Sequence, residues 1–145
     1  SAPTSTGSST KDYEVTAGLL DTSVVIDWHD PVIIAALPDE IAISAITAAE
    51  LAAGPHLAAT PMEAAKRQTR LQEVESTLQP IQFDAAAVRS YGLIVAAVVS
   101  EGRRPRSRFA DLLIAATAHA HRLDLYTRNA NDFTGLNNLV RIIAI

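Results

Sequence analysis

Apolar and polar positions fall into two rhythms along this chain, short unbroken apolar runs that read as strands and longer stretches with helical spacing between them. The first run, Gly18-Leu19-Leu20, stops at Asp21 and is followed by two hydroxyls, Thr22 and Ser23. This pattern predicts a strand over 15–20 and a helix over 23–28. Asp30-Pro31 restarts a helix over 32–37, because proline suits a first helical turn. Pro38-Asp39 turns the chain into a second β-prone segment over 41–46, and Thr47-Ala48-Ala49-Glu50 then has the form of a capping box. Gly54-Pro55 should stop that helix. A long amphipathic helix follows over 61–78, with Met62, Ala65, Leu71, Val74 and Leu78 on its apolar side. Ile81-Gln82-Phe83 is brief and strand-like, and Asp84 caps a helix over 85–100 whose inward face is read as Val88, Tyr91, Ile94, Val95 and Val98. Beyond a loop at 101–108, the pattern predicts a helix over 109–122, a strand over 124–127, a polar loop broken by Gly135, and a last strand over 139–143.

Strands separated by helices, with linkers too long for hairpins, specify an α/β fold: one domain over 15–145, a mostly parallel central sheet of about five short strands, and helices on both faces. Residues 1–14 are rich in Ser and Thr with almost no apolar content, which reads as a flexible leader or a cloning remnant. Hydrophobic residues at 48% and charged residues at 19% fit a globular protein, and the absence of cysteine removes disulfides and thiolate metal sites. No apolar run approaches the roughly 18 residues of a membrane span, and no secretion signal is recognisable, so the expected location is the cytoplasm. A net charge of −4 argues against nucleic acid as a partner. Four arginines in the 101–108 loop, Arg103, Arg104, Arg106 and Arg108, oppose that global sign locally. They fit phosphate contact, docking of an acidic partner, or a merely solvated and mobile loop.

Four acids share one kind of address. Asp21 follows the first strand, Glu50 lies early in the helix after the second, Asp111 stands in a first helical turn, and Asp132 follows the fourth strand. In a parallel sheet all these positions lie at one edge, where such folds bind ligands. Taken singly, Asp21 reads as a helix cap and Glu50 as the capping-box acid. Taken together they need a cation, because two carboxylates about 5 Å apart repel by roughly 3 kcal/mol at an effective dielectric near 20. All-carboxylate ligands favour Mg²⁺ or Mn²⁺. Zinc is disfavoured: His29, His56, His119 and His121 are not spaced for it, and each reads as a surface or helix-end residue.

The motifs Leu-Leu-Asp-Thr-Ser, Ala-Ala-Glu-Leu, Ala-Asp-Leu-Leu-Ile-Ala-Ala and Thr-Arg-Asn-Ala-Asn-Asp-Phe occur in that order, their acids 29, 61 and 21 positions apart. The chain from about residue 18 onward resembles a PIN domain, specifically the VapC toxins of bacterial VapBC toxin-antitoxin pairs. The resemblance implies that Asp21, Glu50, Asp111 and Asp132 form a catalytic acidic pocket, with Asp21 and Asp111 as direct Mg²⁺ ligands. It also implies supporting roles for Thr22 or Ser23, Thr127 and Asn129. Whether Asn129 or Asp132 completes the pocket stays open, with a carboxylate the better ligand. The activity implied is a Mg²⁺-dependent endoribonuclease acting on structured RNA, transfer or ribosomal. The partners implied are a second copy of the chain and a VapB antitoxin, in a heterotetramer or larger assembly. Small helical residues such as Ala115, Ala116 and Ala118 offer a face for the homodimer.

Two other readings compete. One is a different Mg²⁺-dependent phosphoryl hydrolase, a DNA nuclease or a phosphatase. A haloacid-dehalogenase-like phosphatase, however, needs a second Asp where Ser23 stands, and neither a Walker loop nor a Gly-x-Ser-x-Gly elbow occurs. The other is a non-catalytic domain that binds a partner through its acidic edge.

Overall fold

The computed structural model of the chain describes residues 16–145, so the 1–14 leader and Val15 lie outside the described residues. Four strands form the sheet: β1 (Ala17–Leu20), β2 (Glu40–Ala42), β3 (Asp124–Thr127) and β4 (Ile142–Ala144), in the order β2-β1-β3-β4 and all parallel. A single parallel bridge between Ser44 and Ile81 stands where a fifth strand was expected. Between the strands run α1 (Thr22–Val25), α2 (Pro31–Ala36), α3 (Ala45–Leu57), α4 (Pro61–Thr77), α5 (Ala85–Ser100) and α6 (Phe109–His121), with 3-10 turns at Pro105–Arg108 and Ala130–Phe133. No helix among the described residues is long and apolar enough to cross a membrane.

Alternation along β1 splits the core in two. Leu19 joins Ile94, Leu112, Ile114, Leu125 and Phe133 under α5 and α6. Leu20, pointing to the opposite face, joins Val24, Trp28, Ile43, Leu51 and Val74 under α1, α3 and α4. The sheet is therefore covered on both faces.

Several boundaries differ from the sequence reading. α3 begins at Ala45 and not after Thr47: Ser44 takes the cap, its Oγ accepting from the Thr47 amide at 3.0 Å. Backbone pairing of Ile81 with Ile43 and Ala45 fixes where the extended chain must end. Thr47 is thus a buried residue inside the helix, and Glu50 has no part in a capping box. The helix also runs through Gly54 and Pro55 to Leu57, since a proline 11 residues in breaks only one turn's bonding. The buried face of α5 is Ala87, Ser90, Ile94 and Val98, while Val88 is exposed, because Ser90 Oγ turns inward to bond His119 Nδ1 at 2.7 Å on α6. On α4 only Val74 is buried, and Met62 faces solvent. Leu139 and Val140 lie in a turn closed on Leu136 O, so the last strand starts at Ile142. Ala115, Ala116 and Ala118 are wholly buried in the core of one chain, which removes them as a dimer face.

Gly18 shows how tightly β1 is held. A Cβ at this position would lie 2.6 Å from Tyr126 Cδ1 and 3.1 Å from Pro38 Cγ. Gly18→Ala is therefore expected to destabilise the fold by about 1–3 kcal/mol, the usual cost of overpacking. A thermal melt checks this, and an unchanged midpoint would show that the Tyr126 ring moves aside freely.

Candidate functional site

The carboxyl ends of β1 and β3 lie side by side, and their last residues build the floor of the site. Asp21, only 4% exposed, caps α1 directly after β1. Its Oδ1 accepts from the Thr22 amide at 2.9 Å, and its Oδ2 accepts from Ser23 Oγ and Thr127 Oγ1, both at 2.8 Å. Three donors hold one carboxylate, and its amide N–H is fixed in turn by Tyr126 O. Thr127, fully buried at the end of β3, also accepts from the Asn129 amide at 2.9 Å. Asn129 thus contributes through its backbone, and it precedes the 3-10 turn that carries Asp132.

Glu50 approaches from the second turn of α3. It is exposed, and its Oε1 accepts from Thr22 Oγ1 at 2.5 Å. Thr22 Oγ1 also lies 3.0 Å from Thr47 Oγ1. Since the single Thr22 proton goes to the carboxylate, the Thr47 hydroxyl supports Thr22 from behind. Thr47 is the residue the sequence reading passed over as a cap. Its signal was the spacing to Glu50, one helical turn, which puts both on the same face.

Asp111 stands in the first turn of α6 and is partly buried. Burial, then the neighbouring Asp21, Asp132 and Glu50 carboxylates, push its carboxyl up to about 6, against the opposing pull of Arg108. Acids from three other segments thus bear on Asp111. Asp132 accepts from Arg108 Nη1, so the last arginine of the 101–108 segment is inserted into the acidic centre and not free in solvent. The expectation of a solvated loop fails for Arg108, which ends an ordered 3-10 turn.

The donor set fits a hard cation in its chemistry, being oxygen only, negatively charged and short of internal compensation. In the arrangement described, no three acidic or histidine side chains among the described residues are gathered closely enough to hold an ion. Glu50 is turned to Thr22 and Asp132 to Arg108, and the two side chains would have to leave these partners to act as ligands.

A groove of about 590 Å³ between α3 and α4 opens onto Thr22 and Glu50. Two of its three cationic residues are engaged, Arg67 with Glu63 and Gly54 O and Arg70 with Glu73 and Val25 O, while Lys66 faces no carboxylate among the described residues. A second cavity, of about 230 Å³, opens on the other side of the centre at Asp132 and Arg108.

A model of the PIN domain matches residues 18–136. Among curated proteins, ribonuclease VapC5 of Mycobacterium tuberculosis is 33% identical over 128 residues, spanning 87% of this chain and 92% of its own length. Ribonuclease VapC8 of the same species is 36% identical over 105 residues, 72% of this chain and 93% of its own. The crystal structure of VapBC-5, a toxin-antitoxin system member from M. tuberculosis, superposes with a TM-score of 0.78 at 35% identity, covering 90% of this chain and 99% of that one. VapBC2 from Rickettsia felis, bound to a fragment of promoter DNA, superposes with a TM-score of 0.73 at 27% identity over 90% and 99%.

Proposed function

The chain belongs to the PIN domain family, and we propose that it is a VapC-type toxin, a Mg²⁺-dependent endoribonuclease that cuts structured RNA of the transfer or ribosomal kind. We take it to be silenced by a cognate VapB-type antitoxin and to act as a homodimer that joins the antitoxin in a heterotetramer or larger assembly. The observation that carries this reading is the convergence on Asp111, whose carboxyl is raised by acids from β1, α3 and the turn after β3. A structural carboxylate gains nothing from such company, whereas a cation site requires it. The ribonuclease names of the relatives and the toxin-antitoxin systems among the solved structures support the substrate and the partner.

Asp21 and Asp111 are the proposed direct metal ligands, with Glu50 and Asp132 completing the pocket. Mg²⁺ or Mn²⁺, when bound, activates a water and neutralises charge developing on phosphate oxygens. The chain's own groups do the remaining work. Ser23, Thr127 and the Thr22 amide hold the Asp21 carboxylate in place and aimed. Glu50, exposed and steadied by Thr22 and Thr47, orients the attacking water or takes its proton. Arg108 keeps Asp132 neutralised while the pocket holds no cation.

Sequencing of RNA ends tests the proposal. The purified chain incubated with total RNA should produce discrete new ends with Mg²⁺ and none with EDTA, while duplex DNA and a phosphomonoester in the same buffers stay intact. Absence of new ends, or ends equally abundant in EDTA, would reject the metal-dependent ribonuclease.

A further inference from the structure

We infer that the cavity beside the acidic centre, walled by Arg103, Arg104 and Ser107, is a subsite for an RNA backbone phosphate next to the one being cut. The inference rests on the ribonuclease reading and adds the path of the strand away from the scissile bond.

Five of the ten arginines of this chain are partnered. Arg67, Arg70, Arg108, Arg128 and Arg141 each face a carboxylate. Among the described residues Arg103 and Arg104 face none, although both line the same cavity of about 230 Å³. Two uncompensated guanidiniums at one concavity repel each other and favour an anion between them. Arginine's fork of donors matches phosphate oxygens in pairs, and the Ser107 and Thr134 hydroxyls on the same wall add neutral donors. Val98 and Leu112 supply an apolar floor, suited to the face of a sugar.

Position fixes what the anion is. Asp132 and Arg108 belong to this cavity and also to the acidic centre, so the two sites share a wall. A strand with one phosphodiester at Asp111 that leaves the centre on this side passes its neighbouring phosphate along that wall. The volume suits a nucleotide unit and not a helix of a protein partner. Backbone contact of this kind also agrees with the scarcity of aromatic residues, 5% of the chain, which leaves little surface for base stacking. Arg106 lies on the same turn but does not line the cavity, so the four arginines of the segment are not equivalent.

The test uses full-length chain carrying Asp21→Asn, so that bound RNA stays intact, and measures the affinity for a short structured RNA across a salt series. Adding Arg103→Ala with Arg104→Ala should weaken binding at least tenfold at low salt and reduce the log-log salt slope by about 0.7, the value for one lost single-strand phosphate contact. A charge-matched control, Arg89→Ala with Arg122→Gln, should keep the slope. An unchanged slope in the Arg103/Arg104 variant would overturn the subsite, as would a slope that falls equally in the control. Should the alanine variant fold poorly, Arg103→Gln with Arg104→Gln keeps the side-chain packing and must give the same loss. Loss of antitoxin binding with RNA binding intact would assign the cavity to the antitoxin instead. If the unaltered chain cuts RNA while the arginine variant keeps its slope, the subsite fails and the ribonuclease stands; if the unaltered chain cuts nothing, the ribonuclease reading itself has failed.

Discussion

Asp21→Asn is expected to reduce RNA cleavage by about 10²–10³-fold or more, the range seen when one preorganised electrostatic group is removed from an active site, with the fold and antitoxin binding retained. The asparagine has the same shape, and the groups around it can adapt. Ser23 and Thr127 carry hydroxyls that either donate or accept, so the new amide N–H₂ finds partners where the carboxylate had donors. The Thr22 amide keeps an oxygen acceptor. Removing a negative charge beside Asp111 also relieves some of the repulsion that raises that carboxyl. The melting midpoint should therefore stay within a few degrees of the unaltered chain, while the sequenced RNA ends disappear. Cleavage within threefold of normal would show that Asp21 is only the cap of α1.

The elements that bear on this prediction were legible to different depths, for physical reasons. β1 and its terminal Asp21 could be read because an apolar run ending at a carboxylate has few other meanings, and the parallel sheet follows from the alternation of strands and helices. The start of α3 could not. Ser44 and Thr47 are both good caps, and the choice depends on Ile81 pairing with Ile43 from 38 positions away, a contact absent from local pattern. That choice decides the chemistry, since it frees Glu50 from capping and buries Thr47 behind Thr22. On the inward face of α5 the sequence pattern identifies Ile94 and Val98 correctly but wrongly includes Val88 and misses Ser90, because a buried serine bonded to His119 carries no hydrophobic signal. The insertion of Arg108 between the arginine-rich segment and Asp132 was equally invisible, because like charges in sequence read as a solvated run until one of them meets an acid in space.

Asp111→Asn should have opposite effects on activity and stability. In the metal-free folded chain Asp111 keeps its proton up to about pH 6, whereas the unfolded chain releases it near 3.8. Between these values the folded state binds more protons than the unfolded one, so stability falls as pH rises. The contribution is fully present below 3.8 and gone above about 6, where the ionised carboxylate is held against its neighbours. A shift of about two pKa units corresponds to roughly 3 kcal/mol, which partial solvent exposure reduces to about 1–2 kcal/mol. Asn at this position carries no charge, so the metal-free variant should melt a few degrees higher at pH 7 and lose that part of the downward slope between pH 4 and 6. Cleavage should nonetheless fall at least 10²-fold, because a proposed metal ligand is gone. Added Mg²⁺ should raise the midpoint of the unaltered chain through preferential binding to the folded state and raise the variant's far less. A variant less stable than the unaltered chain at pH 7 without metal, or one that gains as much from Mg²⁺, would show that Asp111 sits in a compensated network and not in a pocket that demands a cation.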